Sequence, residues 1–485
     1  GFCMNYGLVG RVFGNLLLVE AALFTIPLGI SLYYQERAAI LGFLVSMVIT
    51  GIVGFAASNL PTRSGRLRIR ESLLIVTLGW VGASFFGSLP FVLSGSIPSW
   101  IDAFFETVSG LTTTGSTIIE NVEVLPLGML FWRSFTHWLG GMGILVLTLA
   151  ILPTLGVGGF QVFKAESPGP TPDKLTPRIG VTTKVLYTVY LVITLIQIFV
   201  FRLVGLSWFE SSVFSFGTVG TGGLSIYNDS LARFSANSLL INAIAVGMLL
   251  SGVNFSLYYD LWKRRWRQML YNEELRLYLA IVVLSVVAIS LNLHGRVYDS
   301  VGETVKHALF QVSSIITTTG YTTVDFDLWP TFSKGVLFVL MFVGGSAGST
   351  AGSIKVIRLL VAGKVVKREV GKTLHPQMVV PITINGKIVA PEIVSGVASF
   401  YFLYVLTFII GSLLISLEGL DLISSMSSVA ATLGNIGPGF GAVGPSRTFA
   451  SFSGASKLLF SLFMLLGRLE LFTLLSILTP SFWRE

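Results

Sequence analysis

The sequence predicts an all-α polytopic membrane protein, built as four parallel helix–pore-loop–helix repeats around one pore, plus two extra N-terminal transmembrane helices. Three observations predict it. Of the 485 residues, 53% are hydrophobic and only 12% charged, about half the roughly 25% charged fraction of soluble domains. Ten apolar segments have the length needed to cross a bilayer, one of them interrupted. A Thr-x-Gly tripeptide recurs four times at near-constant spacing. A mean hydropathy of +0.79 excludes a disordered chain. The single cysteine, Cys3, excludes an intrachain disulfide and a cysteine-based metal site. The net charge of +8 is too thinly supplied to build a phosphate-binding face, so no nucleic-acid partner is expected.

Full spans are expected near Val12–Leu32, Ala38–Ala57, Leu73–Leu93, Met129–Leu152, Val185–Val204, Leu239–Leu257, Leu277–Leu293, Ile393–Leu417 and Leu458–Leu478. The interrupted span has apolar arms, Val336–Val343 and Ile354–Val361, on either side of the small, polar run Gly344–Ser353. An even number of spans puts both termini on one side. Loops on that side, within Arg63–Glu71, Lys164–Lys184, Lys263–Arg276 and Lys355–Lys387, carry twenty Lys and Arg. The opposite loops, from the third span onward, carry six: Arg233, Arg296, Lys306, Lys334, Arg447 and Lys457. The positive-inside rule makes the basic side cytoplasmic. On the other side twelve acids, among them Asp102, Glu106, Glu123, Asp229 and Glu303, outnumber those six cations. Such an excess would concentrate cations at an entrance. Asn385-Gly386, between the apolar runs 379–384 and 387–389, predicts a cytoplasmic β-hairpin.

The repeated tripeptides are Thr113-Thr114-Gly115, Thr218-Val219-Gly220, Thr318-Thr319-Gly320 and Thr432-Leu433-Gly434. Each lies in a connection between two spans, on the side opposite the basic loops. Each follows an apolar stretch too short to span, such as Trp100–Leu111 or Gly419–Ala431, which reads as a re-entrant half-helix. Every unit holds two spans, so the repeats are parallel, unlike the inverted repeats of many alternating-access transporters. The expected boundaries are residues 1–70 for the two N-terminal helices and 71–160, 161–262, 263–370 and 371–485 for the four repeats. Irregular backbone at membrane depth is tolerated where it is buried or lines a watery cavity. Four such loops on one axis can turn carbonyls inward in place of a cation's hydration shell. The expected cation ligands are the carbonyls of Thr113, Thr114, Thr218, Val219, Thr318, Thr319, Thr432 and Leu433. Half-helix C-termini pointing at the pore favour a cation as well.

These features, with Gly140-Gly141-Met142-Gly143, Pro168-Gly169-Pro170 and the closing Gly467-Arg468-Leu469-Glu470, resemble the Trk/Ktr/HKT superfamily of potassium transporters, in its bacterial TrkH-type branch. The resemblance covers nearly the whole chain. It implies a potassium-conducting subunit in the inner membrane, forming a homodimer regulated by a cytoplasmic TrkA-type nucleotide-binding ring. Potassium is then the ion carried, and no organic cofactor is expected in this chain. The resemblance carries the filter glycines onto Gly115, Gly220, Gly320 and Gly434. It makes Gly344, Gly345, Ser346, Ala347, Gly348, Ser349, Thr350, Ala351, Gly352 and Ser353 an intramembrane gating loop, with Arg468 projecting toward it from mid-span in the last helix. An ionisable residue inside a span is a functional hypothesis in its own right. Arg133 and Glu20, also within spans, read as structural ion pairs or interface residues.

Two alternatives stand beside this reading: a proton- or sodium-coupled symporter of the same architecture, and an intramembrane serine hydrolase using Ser346. Gly344–Gly348 matches the G-x-S-x-G nucleophile elbow, but inside a span rather than at a strand-to-helix turn. Gly439–Gly444 matches G-x-G-x-x-G without the strand that a dinucleotide site requires.

Overall fold

The computed structural model describes residues 4–62, 68–143, 179–377 and 379–483. The inner end of the fourth span, residues 144–152, and Pro168-Gly169-Pro170 lie outside the described residues, as do parts of three basic loops. Among the described residues, six helices are long and apolar enough to cross a membrane, or up to eight if two sharply bent pairs are each one span. Tyr6–Leu23 runs almost directly into Thr25–Tyr33, and Arg37–Ser58 returns beside them. The four repeats follow.

Each repeat begins with a long helix: Ile69–Leu93, Ile179–Leu203, Glu273–Leu293 and Pro391–Ser416. These helices expose large apolar side chains, such as Leu284, Leu291, Phe402 and Leu413. So large an apolar surface belongs in lipid rather than water. A half-helix comes next: Trp100–Leu111, Trp208–Val219, Val301–Ile316 and Leu422–Leu433. Ser99, Ser207 and Asp421 start three of these by accepting a backbone N–H in the first turn. An irregular loop and a short 3-10 turn lead to the second helix: Leu127–Gly141, Ser238–Ser251, Thr331–Val343 and Gly454–Arg468.

The second helices depart from expectation. The sequence reads the third repeat as broken and the others as continuous, yet all four end after 13–15 residues. In repeat two the chain bends by 93° before Phe255–Trp262, and in repeat four by 118° before Leu471–Leu478. Glycine lies at or beside every break: Gly140, Gly252, Gly344 and Gly467. It has poor helix propensity and leaves a helix end free to turn. The spans read as Leu239–Leu257 and Leu458–Leu478 are therefore bent pairs. Arg468 is the last residue of its helix rather than a mid-span residue.

The hairpin is present but shorter than the apolar runs imply. Thr383–Ile384 pairs antiparallel with Lys387–Ile388. Asn385 and Gly386 both take positive φ, 50° and 75°, as a two-residue hairpin turn requires. Asn385 N–H donates to Glu273 at 2.7 Å, and Lys364 pairs with the same carboxylate. The hairpin is thus fastened to the first helix of repeat three and to the helix Val356–Leu374.

Candidate functional site

The four half-helices end in the same way. In repeat one the Thr114 N–H donates to Ser109 O at 2.9 Å and the Thr113 N–H to Gly110 O at 3.1 Å. The bonds from Gly222 to Gly217 O, Thr319 to Ser314 O and Ile436 to Ala431 O repeat the first, each at 2.8 Å. This is the Schellman helix end, in which the residue after the cap turns left-handed. That residue is Thr113 (φ 56°), Thr221 (54°), Thr318 (56°) and Asn435 (54°). A left-handed backbone costs an L-residue about 1–2 kcal/mol. β-Branched threonine adopts it rarely, and such strain clusters at functional sites.

Two residues further on, each loop turns left-handed again, at Gly115 (φ 83°), Gly223 (73°), Gly320 (88°) and Gly437 (104°). These four glycines close a ring. A Cβ on Gly115 would strike Gly222 O, one on Gly223 would strike Thr319 O, one on Gly320 would strike Ile436 O, and one on Gly437 would meet Thr114 O at 2.8 Å. Every approach is nearer than the 3.0 Å that real Cβ atoms keep. Each glycine therefore faces the carbonyl of the residue preceding the equivalent glycine in the next repeat. The order runs one, two, three, four and back to one.

The ring corrects the register expected from sequence. Thr113, Thr114, Gly115, Thr318, Thr319 and Gly320 occupy matching places. Thr218, Val219, Gly220, Thr432, Leu433 and Gly434 lie three residues too early. Gly220 and Gly434 are helix caps with φ −72° and −81°, equivalent to Thr112 and Thr317. They are packing glycines: a Cβ would press on His137 O in one case and on Ala430 O in the other. The Thr218 and Thr432 carbonyls accept the Thr221 and Asn435 N–H groups, and Val219 O lies 2.9 Å from Thr350 Oγ1.

Buried polar groups fix the loops. His137 Nδ1 lies 2.8 Å from Gly110 O, and its Nε2 accepts the Leu224 N–H at 3.1 Å, which joins half-helix one to loop two. Arg133 Nε donates to Glu106 at 2.6 Å, and its Nη1 donates to Ser225 O at 2.6 Å. Glu106 also accepts from Ile118 N–H and Thr117 Oγ1 at 3.0 Å. Arg133 is thus a structural ion pair, as its position in the sequence implies. Removing one partner of a buried pair costs about 3–5 kcal/mol. Glu106→Ala and Glu106→Gln are both therefore expected to lower the thermal midpoint in detergent, since both leave the Arg133 charge uncompensated, with Gln the milder because its amide oxygen still accepts one of these bonds. Glu20 makes no such pair among the described residues: it is buried, its carboxylate lies near Gly87, and neither oxygen has a hydrogen-bond partner among those residues.

The Gly344–Ser353 segment lies directly against the bases of these loops. Gly344 (φ 76°) leaves the helix, and Gly348 (71°) and Ser353 (62°) continue the irregular path. Ser346 N–H donates to Gly252 O at 2.9 Å, and Ala347 N–H to Glu274 at 2.7 Å. Gly352 N–H donates to Thr318 Oγ1 at 2.6 Å, and Gly352 packs against Gly434 O. Arg468 spans the gap from the opposite side. Its guanidinium donates to Thr350 O at 3.1 Å and to Gly140 O and Gly141 O at 2.6 Å. It joins repeat four to the segment of repeat three and to the broken helix end of repeat one. Glu470 pairs with Arg358 on the helix that leaves the segment. Lys355, buried and at φ 81°, bonds Ala351 O.

Other expected features change in the structure. Ser346 Oγ is buried and has no hydrogen-bond partner among the described residues, so none of these supplies a base to activate it as a nucleophile. Many of the acids opposite the basic side are engaged. Asp102 pairs with Lys457, Glu123 and Asp229 with Arg233, Glu303 with Lys306, and Asp327 with Lys334. Glu210 and Asp421 cap half-helices. Hydroxyls of Ser453 and Ser456 hold the Glu418 carboxyl below its usual range. The acidic excess counted from sequence is largely consumed in fixing half-helices and loops.

The model of the TrkH family, described as cation transport proteins, matches residues 37–482. The Trk system potassium uptake protein TrkH of Salmonella typhimurium is 39% identical over 492 residues, covering 99% of this chain and 100% of that protein. The Trk system potassium uptake protein TrkG of Escherichia coli is 35% identical over 95% of both chains. The crystal structure of the potassium transporter TrkH from Vibrio parahaemolyticus superposes with a TM-score of 0.87 at 36% identity, over 99% of this chain and 100% of that one. Relatives of this kind are transporters, not enzymes. With residues 37–482 matched by the family model and 99% of its length by relatives and a solved structure, the chain belongs to the TrkH family of cation transport proteins.

Proposed function

We propose that the chain is the potassium-conducting subunit of a bacterial potassium-uptake system. One observation carries the reading: the closed ring in which Gly115, Gly223, Gly320 and Gly437 each face a carbonyl of the next repeat. The cation ligands on this reading are the carbonyls of Thr114, Gly222, Thr319 and Ile436, with those of Thr113, Thr221, Thr318 and Asn435 one step below. They replace the hydration shell of a potassium ion. The four half-helix C-termini at the ring add partial negative charge. Gly344–Ser353 closes the path beneath the ring, and Arg468 latches it. Flux is channel-like, since the parallel repeats share one axis and no repeat is inverted against another.

The chain works as a homodimer in the inner membrane with both termini cytoplasmic, under the control of a TrkA-type nucleotide-binding ring. The twenty-to-six division of basic residues supports this orientation. The helix Val356–Leu374 supports the control: it continues directly from the gating segment and carries Lys364, Lys367, Arg368 and Lys372 to the basic side. A partner that moves this helix moves the gate. Expression in a bacterium lacking potassium uptake, with and without a TrkA-type protein, tests the reading. Growth at low potassium is the expected result. Failure to rescue under both conditions, with the protein present in the membrane, overturns it.

A further inference from the structure

The gating segment touches the loops below the ring unevenly: it hydrogen-bonds Thr318 Oγ1 in repeat three and Val219 O in repeat two, and it packs against Asn435 in repeat four. At the four left-handed positions below the ring, the side chains do different things. Thr113 Oγ1 has no hydrogen-bond partner among the described residues. Thr221 Oγ1 donates to Gly220 O at 2.7 Å, within its own loop. Thr318 Oγ1 accepts the Gly352 N–H of the gating segment at 2.6 Å. Asn435 Nδ2 donates at 2.9 Å both to Thr114 Oγ1, in the loop of repeat one, and to Met464 O, one turn before Arg468. Gly352 is wedged between these last two: a Cβ there would meet Gly434 O at 2.6 Å, Asn435 Cβ at 3.0 Å and Thr318 Oγ1 at 3.3 Å.

We propose that Thr318 and Asn435 are positioning residues that couple the ring to the gating segment, so that withdrawal of the segment loosens loops three and four and lowers the preference for potassium over sodium. This rests on the conduction reading above. Thr318 holds a left-handed backbone that threonine resists, and the Gly352 N–H is a tertiary bond stabilising it there. When Gly352 leaves, Thr318 is free to relax, and its carbonyl turns with it. Asn435 loses the packing of Gly352 and remains tied to the Arg468 helix, so movement of that helix reaches Thr114 in the neighbouring loop. Loops one and two have no such bond to the segment among the described residues, except through Thr350 at Val219 O. The ring therefore loosens unevenly, on one side.

The test measures potassium and sodium flux through the full-length chain in liposomes. Thr318→Val keeps the shape of the side chain and removes the acceptor. It is expected to raise the sodium-to-potassium permeability ratio by about threefold or more, the size of one lost hydrogen bond. Thr318→Ser keeps the acceptor and restores the original ratio. Arg468→Ala, which frees the segment from elsewhere, raises the ratio in the same direction. The double variant Thr318→Val/Arg468→Ala rises no further than the larger single effect, because both act through one element. A permeability ratio does not depend on how much protein folds, so a simple loss of stability leaves it unchanged. An unchanged ratio in Thr318→Val, or fully additive effects in the double variant, overturns the coupling. If Thr318→Val does not reach the membrane, Arg468→Ala decides alone: raised flux at the original ratio overturns the coupling. Absence of potassium flux in the unmodified chain instead overturns the conduction reading beneath it.

Discussion

Gly223→Ser is expected to abolish potassium-dependent growth, while Gly434→Ala retains a substantial part of it. Both positions are loop glycines, and by the Thr-x-Gly spacing Gly434 is the filter residue and Gly223 is not. The geometry reverses the assignment. Gly223 has φ 73°, and its Cβ position collides with Thr319 O of the next repeat. A serine there adds about 1–2 kcal/mol of left-handed strain. It also pushes away a carbonyl that forms part of the ring. A carbonyl displaced from the axis is a lost cation ligand, and each 1.4 kcal/mol of lost ion binding is about a tenfold change in affinity. Uptake is therefore expected to fall on the order of a hundredfold. Gly434 has φ −81°, which alanine adopts freely; a Cβ there meets Ala430 O of its own helix at 2.8 Å, Ile436 Cδ1 at 2.9 Å and Met341 O at 3.1 Å, so alanine costs packing, but it displaces none of the four carbonyls that face the ring glycines. Rubidium uptake by cells expressing equal amounts of each variant separates the two. Equal loss in both would restore the register read from sequence.

Arg468→Ala is expected to raise basal cation flux about tenfold or more. The guanidinium is buried and bonds Thr350 O, Gly140 O and Gly141 O, so it closes a bridge between three repeats. Hydrogen bonds from a charged donor each contribute about 1.5–3 kcal/mol. Losing three of them, offset by water entering the gap, leaves a shift of at least about 1.4 kcal/mol toward the open segment, which is a tenfold change in population. The positive charge also leaves the path, which lowers the barrier to a cation. Arg468→Lys keeps the charge without the planar fork, and so it should fall between alanine and the unmodified chain. The measurement is potassium flux in liposomes without any cytoplasmic partner. Flux at or below that of the unmodified chain counts against the latch.

Much of the architecture is legible in the residues themselves. The half-helix Trp100–Leu111 has the bounds that its apolar stretch implies, and the Asn385-Gly386 turn, the Gly344–Ser353 break and the long first helices fall where their patterns place them. Their signals are local: apolar length, a turn dipeptide, a run of small residues. The end of every second helix has a signal too, since Gly140, Gly252, Gly344 and Gly467 fall at comparable points. An apolar run that continues past a glycine nevertheless looks the same whether the helix bends or not.

Membrane class, the fourfold repeat and the identity of the loops that matter all follow from the amino-acid order, because bilayer length and helix breakers act over neighbouring residues. Which glycine in each loop belongs to the ring is settled only by the packed fold. A tripeptide match marks Gly220 and Gly434, whereas the ring position is defined by a carbonyl about a hundred residues away in the next repeat. One local signal does survive. Leu111, Val219, Ile316 and Leu433 each end a half-helix, and the ring glycine always follows four residues later. That spacing acquires meaning only once the helix ends are known. The partners of Arg468 and Thr318 are likewise tertiary, because a guanidinium or a hydroxyl bonds whichever backbone group the fold brings to it.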